Sequence, residues 1–108
     1  MEKLHTAADL LLDIEAEMRR LSLWEKTPPP PEDLASRLPF CCDTLAFPQW
    51  IQFVFLVRVT TLIEARRPLP SQCGVAPMAE EWFMAHGEGS PRLIRLLREF
   101  DDLLSDTP

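Results

Sequence analysis

The side chains in this 108-residue sequence with the chemistry to hold a metal ion or attack a substrate are Cys41, Cys42, Cys73, His5 and His86. A zinc site needs two ligands fixed at once by a Cys-x-x-Cys or His-x-x-x-His spacing, and the sequence has neither. Nucleophilic catalysis needs a base close enough to form the thiolate, yet the two histidines fall near the start of the chain and at the end of a helical pattern. Three cysteines cannot all pair within one chain, and adjacent ones rarely bond to each other because the geometry is strained. The pattern therefore predicts reduced, buried thiols behaving as small hydrophobes. With no phosphate-cradling loop either, we expect no metal, no cofactor and no turnover.

The charged residues suggest binding rather than catalysis. Arg58 interrupts the most apolar stretch of the chain, and a cation buried there would need a partner, for which Asp43 is the candidate. Trp50 and Gln52 lie beside that pair in sequence. Together with Glu80 and Glu81 they form the predicted interaction patch: Asp43, Trp50, Gln52, Arg58, Glu80 and Glu81. Arg92, Arg95 and Arg98 recur at steps of three and resemble a phosphate-binding ridge, but Glu99 and Asp102 follow Arg95 and Arg98 by four residues each. That spacing predicts a balanced, solvated face.

The formal net charge of -6 opposes unassisted binding to a phosphate backbone, which depends on cations releasing counterions. Direct nucleic-acid binding is therefore not expected, and an acidic surface suits a basic protein partner. The start of the chain lacks the basic region, apolar run and small-residue cleavage site of a secretory signal, which predicts a cytoplasmic protein. The longest apolar run is broken by Gln52, Arg58 and Thr60-Thr61, so no membrane span is expected. Hydrophobic residues at 46% and charged residues at 26% fit one globular domain over residues 1–108.

The elements that must position these residues are helical. Thr6 and Asp9 resemble a capping box, after which Ala7, Leu11, Ile14, Met18 and Leu21 form one stripe. Asp13, Glu17 and Arg20 are read as the solvated opposite face, with Glu15 and Arg19 as an i,i+4 pair. Pro28 to Pro31 end this helix near Trp24 to Lys26 and form a stiff connector. A short turn over Glu32 to Leu38 should follow, anchored by Leu34, Leu38 and Phe40.

Trp50 to Ile63 has strand-like propensity, but its apolar character persists too long for a strand, which predicts a buried helix with Pro48 in its first turn. Ala65-Arg66-Arg67-Pro68 should close it. A third helix from Met78 to His86 opens after Pro77, and Ser90-Pro91 starts a fourth with Leu93, Leu97, Phe100 and Leu104 on one side. The fold class is all-α: a four-helix bundle with a Pro-rich connector after the first helix. Its apolar third helix leaves room for a homodimer.

Pro39-Phe40 with Asp43-Thr44-Leu45, then Trp50-Ile51-Gln52 with Arg58, then Pro68-Leu69-Pro70 and Val75-Ala76-Pro77 resemble the YqcC-like family of small bacterial proteins. The resemblance runs through the middle of the chain, with weaker helical similarity at both ends. It implies an up-and-down four-helix bundle and a genetic link to tRNA pseudouridine synthase C, and it brings no site residues. A pseudouridine synthase works through a catalytic Asp in a large mixed α/β domain, which a helical, acidic chain of this length has no room for. The expected function is that of a non-enzymatic interaction or accessory domain with a protein partner such as a basic RNA-modifying enzyme. The alternative is a small-ligand-binding or RNA-associated helical domain.

Overall fold

A computed structural model describes residues 2–37, 44–69, 74–86 and 90–105, all helix, turn or extended connection with no strand among them. The first helix, α1, spans Glu2–Arg20 and buries Ala7, Leu10, Leu11, Ile14 and Met18. It starts ahead of Thr6, so Thr6 is an interior helical residue and not a cap. It also stops short of Trp24 because Ser22 adopts a left-handed backbone, with φ of 61°. The Ser22 N–H then donates to the Arg19 carbonyl at 3.1 Å and the Leu23 N–H to the Met18 carbonyl at 2.9 Å, which satisfies two of the last open carbonyls. Beyond the turn, the Arg19 guanidinium lies 5.0 Å from the centre of the Trp24 ring.

The proline connector leads into one short turn, α2, over Pro31–Leu34. Leu34 was expected to anchor it but is 36% exposed, since a four-residue turn is too short to press a side chain into the core. The other two expected anchors, Leu38 and Phe40, lie outside the described residues. The Thr44 hydroxyl donates to the Asp33 carbonyl at 2.7 Å and ties the two sides of this excursion together.

The helix expected to be buried, α3, runs without a break through Phe47–Trp50, a π-helical turn Ile51–Phe55 and Leu56–Glu64, but only one side of it is buried, with Val57, Arg58, Thr60 and Thr61 exposed. Pro48 sits in its first turn, where the missing N–H is no loss, and the Gln49 side chain accepts from the Ala46 N–H at 2.9 Å. The wider π turn aligns residues five apart. Trp50 and Phe55 are both buried with ring centres 5.4 Å apart, and Ile51 and Leu56 share the buried side. Phe55 continues the aromatic contact edge-on to Phe100, at 5.4 Å. The helix closes where expected, through a second left-handed residue, Arg66, with φ of 55°. There the Arg67 N–H donates to the Leu62 carbonyl at 2.9 Å.

Helix α4 spans Val75–His86 and α5 spans Pro91–Ser105. The third long helix thus begins ahead of Met78, with Pro77 inside its first turn, where a proline is tolerated. The expected stripe of α5 is buried: Leu93, Leu97, Phe100 and Leu104, joined by Leu96. Helix α5 packs against both α1 and α4, and α1 also meets the last part of α3. The most deeply buried large side chains, Ile14, Met18, Ile51, Val75, Leu97, Phe100 and Leu104, come from all four long helices. Among the described residues, no helix is long and apolar enough to cross a membrane.

Candidate functional site

The residues of the expected patch go to different places. Trp50 and Gln52 are each 7% exposed and so belong to the interior. Trp50 is part of the aromatic ladder. Gln52 grips the connector with both ends of its amide: its Oε1 accepts from the Glu25 N–H at 2.9 Å, and its Nε2 donates to the Glu25 carbonyl at 2.8 Å. A buried amide with both halves satisfied is a structural clamp, not a free recognition group. The neighbouring Gln49 Nε2 donates to the Glu25 carboxylate at 3.2 Å, so a single connector residue is held through its backbone and its side chain.

Arg58 is exposed, because Val57 and Arg58 sit on the side of α3 turned away from Leu56 and Val59. The expectation of a buried cation is thereby corrected, and its expected partner Asp43 lies outside the described residues. Arg58 lines an open groove of about 400 Å³ with Leu34, Phe53, Val54, Val57, Thr61 and Leu62. Glu80 is half-buried and pairs with Arg98 beside a second groove, while Glu81 is exposed. Arg58 and Glu80 therefore border separate surfaces.

Sequence reasoning missed a polar centre. Glu17, read as part of a solvated face, is 3% exposed. Its carboxylate accepts from Arg20 Nε at 2.8 Å and from the Ser90 hydroxyl at 2.7 Å, with Arg92 Nε at 3.6 Å. The Arg20 hydrogen bond is the largest influence on Glu17 and outweighs its desolvation. With the Ser90 bond and the positive charges of Arg20 and Arg92, it holds the carboxyl down at about 2. Ser90 in turn accepts from the Leu93 N–H at 3.1 Å and caps α5, so one buried acid on α1 orients the residue that starts another helix. The spacing carried a signal: Ala7, Leu10, Ile14 and Glu17 alternate steps of three and four, which places Glu17 on the buried seam.

A similar device caps the start of α4. The Asp101 carboxylate, from α5, accepts from the Val75 N–H at 3.0 Å and the Ala76 N–H at 2.8 Å. An acid at a helix N-terminus also meets the positive end of its dipole. Two arginines of α5 find acids on other helices, Arg92 near Glu17 and Arg98 with Glu80, so Arg98 meets Glu80 in place of the Asp102 that the spacing predicts. Arg19 and Glu15 do pair as expected, at 2.9 Å. Among the described residues there is no group of three His, Cys, Asp or Glu side chains placed to hold a metal ion, and the three cysteines lie outside those residues.

These contacts define a small all-α protein whose polar groups mostly fasten one helix to another. The model of the DUF446 family, described as tRNA pseudouridine synthase C, matches residues 6–103, and the chain belongs to this family. It is 32% identical over 90 residues to the uncharacterised protein YqcC of Escherichia coli, covering 83% of this chain and 80% of that one. An uncharacterised protein of Haemophilus influenzae is 35% identical over 71 residues, 66% of this chain and 67% of the relative. A tRNA pseudouridine synthase C of Pectobacterium carotovorum is 38% identical over 60 residues, 56% of this chain but only 16% of that protein. The solution NMR structure of E. coli YqcC superposes with a TM-score of 0.82 at 28% identity, covering 98% of this chain and 91% of that one.

Proposed function

We propose that this chain is a non-enzymatic accessory protein, an up-and-down four-helix bundle that acts in the cytoplasm by binding another protein, and that its partner is a tRNA pseudouridine synthase. The observation that carries this reading is the match to a segment making up 16% of a protein named tRNA pseudouridine synthase C. A helical unit that forms so small a part of a chain with that name is what a non-catalytic module carried beside a catalytic one looks like. The side chains support the same reading. The buried Glu17 orients the Ser90 cap and the half-buried Asp101 caps α4, and the net charge of -6 opposes gripping RNA without help. The exposed groove around Val57 and Arg58 and the acidic pair Glu80 and Glu81 provide surface for a protein partner.

Mixing the purified chain with the pseudouridine synthase of the same organism tests this by titration calorimetry and analytical gel filtration. A stoichiometric complex is expected, with pseudouridine formed on tRNA only when the synthase is present. Absence of a complex, or pseudouridine produced by this chain alone, overturns the proposal. In a gel shift near physiological salt, the free chain should leave tRNA unbound.

A further inference from the structure

Where α1 begins and α3 ends, Lys3, Arg66 and Arg67 gather around an open concavity of about 370 Å³ whose other walls are Leu4, Pro68 and Leu69. Three of the eleven cations of an acidic chain thus share one concavity. Of the other arginines, Arg19, Arg20, Arg92 and Arg98 each meet an acid. Arg66 and Arg67 are both exposed, and neither has an ion-pair partner among the described residues. Arg66 also holds a left-handed backbone, a conformation that glycine adopts at lower cost.

We propose that this end of the molecule is a docking surface for an acidic segment of a partner protein, with carboxylates held by Arg66, Arg67 and Lys3 over the apolar floor of Leu4, Pro68 and Leu69. The proposal goes beyond the accessory role above, because it assigns a further, cationic surface at the other end of α3 from Trp50. The guanidinium fork matches a carboxylate in two parallel hydrogen bonds. The floor favours a peptide over RNA: leucine and proline offer no aromatic face on which bases stack, and they fit an aliphatic side chain between two acids. The overall negative charge also opposes a long polyanion more strongly than a short acidic segment.

The test uses the whole chain, labelled with nitrogen-15, titrated with a soluble peptide of repeated Glu-Glu-Leu. A Lys-Lys-Leu peptide and oligouridylate serve as comparison ligands. The Glu peptide should bind with a dissociation constant of about a millimolar or tighter and move the amide signals of residues 3–4 and 66–69, while the Lys peptide leaves them in place. The double variant Arg66→Gly with Arg67→Ser should weaken binding at least about tenfold, the scale of one charge-assisted pair. Glycine suits the backbone at position 66, so the variant should retain the wild-type helical signal, and Lys3→Glu supplies an independent loss of charge. Shifts confined to other surfaces, or an affinity untouched by both variants, overturn the proposal. So does oligouridylate moving the same amides more strongly than the Glu peptide.

Discussion

Glu17 remains ionised with almost no access to water because Arg20 and Ser90 donate to its carboxylate and Arg92 lies close by. Replacing it by alanine strands the Ser90 hydroxyl that starts α5, and should cost about 1–3 kcal/mol at neutral pH, measured by urea unfolding. The cost should depend on pH in one direction. The folded carboxyl titrates at about 2, against 4.5 for an unperturbed glutamate, so its stabilisation is fully present above about 4.5 and is lost as pH falls toward 2. Melting temperatures of wild type and Glu17→Gln should accordingly converge across that window. A gap that stays constant down to pH 2 would show the carboxylate charge to be irrelevant. The position of Glu17 on the buried seam was legible from spacing. Its burial was not, because that depends on donors from α5, and a charged residue near Asp13 and Arg20 otherwise reads as surface.

Two long helices end on a left-handed residue with a side chain, Ser22 after α1 and Arg66 after α3. Ser22→Gly should raise stability by a few tenths to about 1 kcal/mol, since the turn and its two backbone hydrogen bonds are kept while the Cβ clash disappears. Chemical denaturation would show this as a higher midpoint with an unchanged slope. The stop of α3 was readable in Ala65-Arg66-Arg67-Pro68, whereas that of α1 was hidden, because no glycine marks it and apolar residues continue through Leu21, Leu23 and Trp24. The Gln52 clamp belongs to the same scale. Gln52→Leu keeps the volume but leaves the Glu25 N–H and carbonyl without their partner, at about 1–3 kcal/mol. Faster hydrogen exchange at Glu25 with little change in the middle of α5 is the expected signature. From sequence alone, the same glutamine looks like a polar interruption of an apolar helix, which is why it reads as a recognition residue.

Across the molecule, helical content and the order of elements follow from hydrophobic period and from the proline and Ser-Pro punctuation, as the buried stripe of α5 illustrates. The polar contacts between helices follow from neither. Asp101 meets Val75 and Ala76, and Arg98 meets Glu80, only after α4 and α5 have packed, and no local rule encodes those distances. The division between interior and surface also decides which mutations can test function. Substitutions at Trp50 or Gln52 should lower stability and binding together. Glu81→Arg, on the exposed side of α4, should leave the melting temperature within about 2–4 °C of wild type, because surface changes away from packed features rarely exceed about 0.5 kcal/mol. Any effect of Glu81→Arg on synthase binding therefore reports on contact.

The Asp101 cap has a consequence for how the protein is made. The first turn of α4 leaves the ribosome well before the acid that holds its two open amides, so a nascent chain ending ahead of Asp101 presents a helix with a loose beginning. Helices α4 and α5 should therefore become protected as a pair and not in sequence order. Pulse-labelled hydrogen exchange during refolding gives the readout: the Val75 and Ala76 amides should gain protection at the same rate as those in the middle of α5, and Asp101→Ala should delay the first two while leaving the others on time.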